Sequence, residues 1–148
     1  MKKILLIIFV LIIISGCASK FDTPEKTIKT LETALNKRDV STSFDSFFYN
    51  EDFLKENNLN EAQLKNKLVT EYKDLKELQN EKNYRQEYII IDSKIDGNTS
   101  TMTIKKCVYS DEWETNSEDC GINQINLLKI NNEWKIDVST ARFYDGYY

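Results

Sequence analysis

Few side chains in this sequence can do covalent or acid–base chemistry. There are three cysteines, Cys17, Cys107 and Cys120, and no histidine. The missing imidazole removes Ser-His-Asp and Cys-His nucleophilic systems, histidine general bases and histidine-ligated zinc. No Cys-x-x-Cys spacing is present to tune a thiolate, and there is no glycine-rich phosphate loop, calcium loop or zinc-type cysteine spacing. A carboxylate base stays open. Asp92 and Asp137, both on expected strands, are the acids to name, and strand alternation turns each toward solvent. Between Cys107 and Cys120, the acids Asp111, Glu112, Glu114, Glu118 and Asp119 surround Trp113. This reads as a solvated acidic loop with its indole folded back on the domain; a cation site and an aromatic anchor for a sugar or protein are the alternatives. Phe143, Tyr144, Tyr147 and Tyr148 end the chain, either as a tail packed over the domain or as a contact patch for a partner. No metal and no cofactor is expected.

Cys17 stands in a different setting. Lys2 and Lys3 precede an apolar run from Ile4 to Ile14, followed at once by Ser15, Gly16 and Cys17. That is a charged region, a short hydrophobic region and a small-residue cleavage zone. A permanent span needs roughly 20 apolar residues, so the run reads as an export signal. Ile14-Ser15-Gly16-Cys17 resembles the lipobox of bacterial lipoproteins. The resemblance implies that residues 1–16 are removed and that the Cys17 sulfur carries a diacylglyceryl group. Two acyl chains hold stably where one is marginal, at about 0.8 kcal/mol per buried CH₂. The residue after the cysteine is Ala18 rather than aspartate, which by the same resemblance points to the outer membrane, facing the periplasm, in a Gram-negative host.

Removing Lys2 and Lys3 leaves 18 basic residues against 24 acidic ones, a net charge of −6. Such a chain is no nucleic-acid binder, and anionic head groups repel it mildly, so lipid must supply the anchoring. The remaining length, about 130 residues, suits one domain, expected over residues 23–148, with 17–22 as a lipidated tether. With Cys17 taken by lipid, Cys107 and Cys120 form an even pair in an oxidising compartment, and a disulfide between them closes the longest loop at its base.

The elements that must position these residues follow from periodicity. Thr23-Pro24-Glu25 opens a helix with a hydroxyl cap, a proline at the first turn and an acid at the positive dipole end. Ile28, Leu31 and Leu35 recur at helical spacing up to about Arg38. The stretch Val40 to Tyr49, with Phe44, Phe47 and Phe48, and a further turn around Phe53 and Leu54 are expected to supply core aromatics. Asn60 and Gln63 take capping-box places, flanked by Leu59 and Leu64 as a hydrophobic staple, and open a third helix running to about Asn80. From Tyr84 the period changes to two. Tyr88 to Ile91 is apolar on both faces. Asp96-Gly97 is expected at the centre of a hairpin turn, Met102, Ile104 and Val108 alternate on the return strand, and Ile122 to Ile130 forms the next. Asn131-Asn132 turns into a last strand with Trp134, Ile136 and Val138 on one face. Three helices packed on a four-stranded antiparallel meander make an α+β domain.

This order of elements, the Thr-Pro-Glu opening and the closing Asn132-Glu133-Trp134-Lys135-Ile136 resemble the nuclear transport factor two-like superfamily, and within it a lipoprotein family of unknown function. The resemblance implies a bent sheet wrapped around the helices like a cone. It also implies a positive φ at Asn132, where the family usually has glycine. The superfamily holds enzymes and non-catalytic modules alike, so the fold decides no activity. The expectation is a membrane-anchored, non-catalytic binding or assembly module of the bacterial cell envelope, held in the bilayer through acylated Cys17 and serving an envelope protein or a small-molecule ligand. Trp113, Tyr144, Tyr147 and Tyr148 are its candidate contacts. A small enzyme with a carboxylate in the cone, and a homodimer formed through the sheet, are the alternatives.

Overall fold

In the computed structural model, residues 19–56, 58–67, 69–70, 85–109 and 119–140 are described. Helix α1 (Pro24–Lys37) starts where the Thr23 side chain accepts from Lys26 N, with Pro24 in the first turn. It ends without a glycine. Arg38 adopts the left-handed conformation at φ 59°, and Asp39 N bonds back to Ala34 O at 2.8 Å. Asp39 then caps helix α2 (Val40–Asp45) by accepting from Thr42 N. Asn50 caps helix α3 (Glu51–Glu56) by accepting from Phe53 N. Helix α4 covers residues 61–67, and 69–70 are also helical. Its capping box is reciprocal: Asn60 N donates to Gln63 Oε1 and Gln63 N to Asn60 Oδ1, both at 2.9 Å. The expected remainder of this helix, to Asn80, lies outside the described residues.

The sheet has five strands, in the order β1-β5-β4-β3-β2. Strands β2 (Arg85–Asp96), β3 (Thr99–Tyr109), β4 (Asp119–Ile130) and β5 (Glu133–Asp137) form the expected antiparallel meander. The fifth strand corrects the expectation of four. β1 (Phe47–Phe48) pairs in parallel with β5, Phe47 opposite Ile136, although these phenylalanines were expected with the helical stretch before them. The cause is a long-range contact: the chain leaves α2 at Ser46, whose carbonyl accepts from Ile136 N at 2.9 Å. That bond commits the next two aromatic residues to an extended conformation suited to their β propensity.

The first hairpin is also shifted from expectation. Asp96 pairs with Thr99, so Gly97-Asn98 forms the turn, with Gly97 at φ +57°. A positive φ at the first central position costs glycine nothing. In the last turn, Asn131 and Asn132 both take positive φ, 51° and 66°, the pattern of a type I′ turn. A bulge at Ile91 breaks the β2–β3 register between Ile90 and Asp92.

One face of the sheet packs on α1. Tyr88, Met102, Ile104, Ile125, Leu127, Trp134 and Ile136 join Ile28 and Leu31 in the main core; of the expected inward residues, Val108 is buried outside this cluster and Val138 belongs to the second one. A second cluster of Phe44, Tyr49, Leu64 and Val138 gathers the expected staple residue Leu59 and the α3 residues Phe53 and Leu54. Among the described residues no helix is long and apolar enough to cross a membrane.

Candidate functional site

The segment ahead of α1 is not a loose tether. Residues 17–22 were expected as a tether, and from Ser19 onward this segment lies against β5. Phe21 is buried, its carbonyl accepts from Trp134 N at 2.9 Å, and the Ser19 hydroxyl donates to Glu133 Oε1 at 2.8 Å. The signal for this was a single aromatic residue, Phe21, between Lys20 and Asp22; an isolated phenylalanine in a polar leader has little reason to remain in water. One residue, Ala18, therefore separates Cys17 from the first fixed position.

Lys135 fastens the segment from beneath. Its ammonium donates to Asp45 O at 2.7 Å, pairs with Glu133 Oε2 at 2.9 Å and stands 3.8 Å from the centre of the Phe21 ring. The bonds from Lys135 and then Ser19 hold the Glu133 carboxyl below the usual carboxylate range. Asp39 is lowered by its bond from Thr42. Partial burial works against ionisation of Glu25, yet bonds from its own N–H and from Ser93 lower it as well. These three carboxylates are thus stabilised in the charged form, as caps and clasps are, whereas a general acid at neutral pH needs a raised pKa.

Around the clasp runs an open groove of about 430 Å³, lined by Phe21, Phe44, Phe47, Phe48 and Tyr49 with Asp45, Glu61, Glu133 and Lys135. Phe44 and Tyr49 stack at 4.5 Å, and Lys65 lies over Phe44. Aromatic walls with polar ends suit a contact surface. The inner face of the sheet, where a cone carboxylate would work, is filled by the apolar side chains of the main core.

The structure separates the sequence candidates. Asp92 is exposed on β2; half-buried Asp137 accepts from Ser139 N and Oγ in the turn after β5. Neither acid lines the groove around the clasp. Cys107 and Cys120 face each other in register across β3 and β4 and are joined as a disulfide, Cα atoms 4.1 Å apart. Such a short approach is that of a non-hydrogen-bonded antiparallel pair. Cys17, Trp113, Tyr144, Tyr147 and Tyr148 lie outside the described residues.

An α+β domain with this helix-backed antiparallel meander has the nuclear transport factor two-like fold. No family model and no curated protein matches the sequence, but solved structures match the fold. A putative calcium/calmodulin-dependent protein kinase type II association domain from Thiobacillus denitrificans superposes with a TM-score of 0.56 at 9% identity, over 80% of this chain and 93% of its own. A nuclear transport factor two-like protein of unknown function from Shewanella oneidensis gives 0.51 at 15% identity, over 75% and 88%. A cystatin-like protein of unknown function from Nostoc punctiforme gives 0.46 at 14%, over 76% and 81%. At these identities the likeness is one of fold.

Proposed function

We propose that the chain is a lipoprotein of the bacterial cell envelope, anchored in a membrane through acylated Cys17, whose domain acts as a non-catalytic binding or assembly module. The observation that carries this reading is the run Ile4 to Ile14 followed by Ser15-Gly16-Cys17. Two structural facts support it. The Cys107–Cys120 disulfide suits an exported chain and uses the other two thiols, leaving Cys17 for lipid. The docking of Ser19 and Phe21 leaves only Ala18 between the anchor and the folded body, so the domain would ride directly on the bilayer. The non-catalytic half is supported by the apolar filling of the sheet's inner face and by the three lowered, clasped carboxylates. Metabolic labelling with a radioactive or alkyne-bearing fatty acid tests the anchor. The parent chain is expected to label and to run at the mature size, while Cys17→Ala stays unlabelled and uncleaved. Normal labelling of that variant refutes the reading.

A further inference from the structure

An open sheet has two edges, and each presents backbone groups that another strand can pair with. In this domain the β5 edge is covered by main chain: Trp134 N bonds to Phe21 O, Ile136 N to Ser46 O and Val138 N to Phe48 O. The β2 edge is covered differently: its backbone is bonded only along the first half, although Glu25 of α1 also accepts from the Ser93 side chain farther along, at 3.0 Å. In that first half α1 supplies side chains. Asn36 exchanges two bonds with the Gln86 backbone, at 2.7 and 2.8 Å, Glu32 accepts from Tyr88 N, and Lys29 donates to Tyr88 O at 2.8 Å. These bonds place Gln86 and Tyr88 as the outward-facing residues of the edge. The Ile91 bulge resets the alternation, and Asp96 opposite Thr99 closes the two-residue hairpin, so beyond the bulge Ser93 and Ile95 face outward. No hydrogen bond from the described residues reaches that stretch of backbone from outside the sheet. Ile91 and Ile95 there are 53% and 54% exposed.

We propose that this open half of β2, Ile91 to Ile95, pairs edge to edge with the same segment of a second copy, antiparallel about a two-fold axis through Ser93. The sequence Ile91-Asp92-Ser93-Lys94-Ile95 is complementary to itself in that register alone among those that stay within the strand. Ser93 meets Ser93 as a hydrogen-bonded pair, and Asp92 of each copy lies opposite Lys94 of the other on the outer face; Ile91 before the bulge and Ile95 beyond it point to opposite faces and make no contact across the seam. The Ser93 pair lies on the axis, and symmetry makes the Asp92–Lys94 contact twice. A slip that centres the pairing on Lys94 sets lysine against lysine and Asp92 against Asp96. Centring on Ile95 runs the partner into the Gly97-Asn98 turn. Asp92 and Lys94 are both exposed, so they are available for this pairing, and the charges that guard the edge against unrelated strands select this one.

The test uses the full-length chain carrying either of two epitope tags, co-expressed, extracted in mild detergent and assayed by co-purification and native mass spectrometry. The parent is expected to pair. Asp92→Lys alone and Lys94→Asp alone each turn two attractive contacts into two repulsive ones and are expected to weaken self-pairing about tenfold or more. Mixing the two single variants restores opposite charges at all four positions and is expected to restore pairing between unlike tags. That rescue shows that both variants fold. A monomeric parent, or single variants that pair as the parent does, overturns the proposal. So does pairing that is insensitive to these charges but lost in Ile122→Lys, because Ile122 lies on the flat of the sheet, opposite Lys105, and its loss would mark a face-to-face dimer.

Discussion

Replacing Phe21 by alanine separates a docked leader from a free one. The residue is 3% exposed, its ring lies against the Lys135 ammonium, and its carbonyl pairs with Trp134 on the β5 edge. Deleting a buried phenylalanine side chain costs about 3 to 5 kcal/mol where the site cannot collapse. Here the chain start can peel away and let water in, which limits the loss to the lower end, about 3 kcal/mol. A domain of about 130 residues unfolds with an entropy of roughly 0.27 kcal/mol/K, so the melting temperature should fall by about 11 °C. The comparison is a thermal melt followed by far-ultraviolet circular dichroism on residues 18–148, with Lys20→Ala as a surface control expected to shift by only a degree or two. Hydrogen exchange at the Trp134 amide gives a second reading, because its acceptor is Phe21 O; the variant should exchange it faster. A Phe21→Ala domain melting within about 2 °C of its parent refutes the reasoning and returns residues 19–22 to the status of a tether.

Two further outcomes follow from the same contacts. Peptide mapping of unreduced protein isolated from its own cells should recover the Cys107 and Cys120 peptides joined, and the double alanine variant should lose roughly 3 kcal/mol of unfolding free energy for a ring of this size; full alkylation of both thiols in unfolded, unreduced protein would remove the staple. Glu133 has a folded pKa below its usual value of 4.5, chiefly through the bond from Lys135, so its contribution to stability is complete above the unfolded value and is lost as pH falls through the lowered one. Melts between neutral pH and about pH 3 should therefore show an acid-side decline that is shallower in Glu133→Gln, and identical acid limbs in the two proteins would contradict the clasp.

The parts of the fold legible in the sequence were those written in local patterns. The Thr23-Pro24 opening, the Asn60/Gln63 box, the Asn131-Asn132 turn and the alternation of Met102, Ile104, Trp134 and Ile136 each express a short-range rule, and each is found in place. The misreadings have one source. Phe47-Phe48 became a strand because Ser46 O meets Ile136 N, ninety residues away in sequence, and Phe21 left solvent because β5 offered it an edge. Neither partner is visible from its own neighbourhood. Plain alternation puts Tyr88 and Ile90 on the core and leaves Ile89 and Ile91, the other side of the apolar run, exposed. Of the candidate site residues, the disulfide pair could be argued from number and compartment, whereas the clasp of Ser19, Glu133 and Lys135 is assembled from residues with no shared motif.

The two sheet edges together bear on how an anchored copy could pair. The leader reaches the domain at β5, and the open stretch lies on β2, three strand spacings away, or about 14 Å. On the lipoprotein reading the lipid therefore enters at one side of the sheet and leaves the opposite edge unobstructed. Joining two copies through β2 gives one sheet of ten strands with the β5 strands roughly 34 Å apart. A two-fold axis through the paired Ser93 residues stands perpendicular to the sheet, so both copies present the same face in the same direction. Both Cys17 residues, each two positions from a fixed Ser19, can then enter a single bilayer without either leader undocking from Glu133. An edge pairing that turned the faces opposite ways would force one anchor off its membrane or one Phe21 out of its site, and the self-complementary register about Ser93 avoids both.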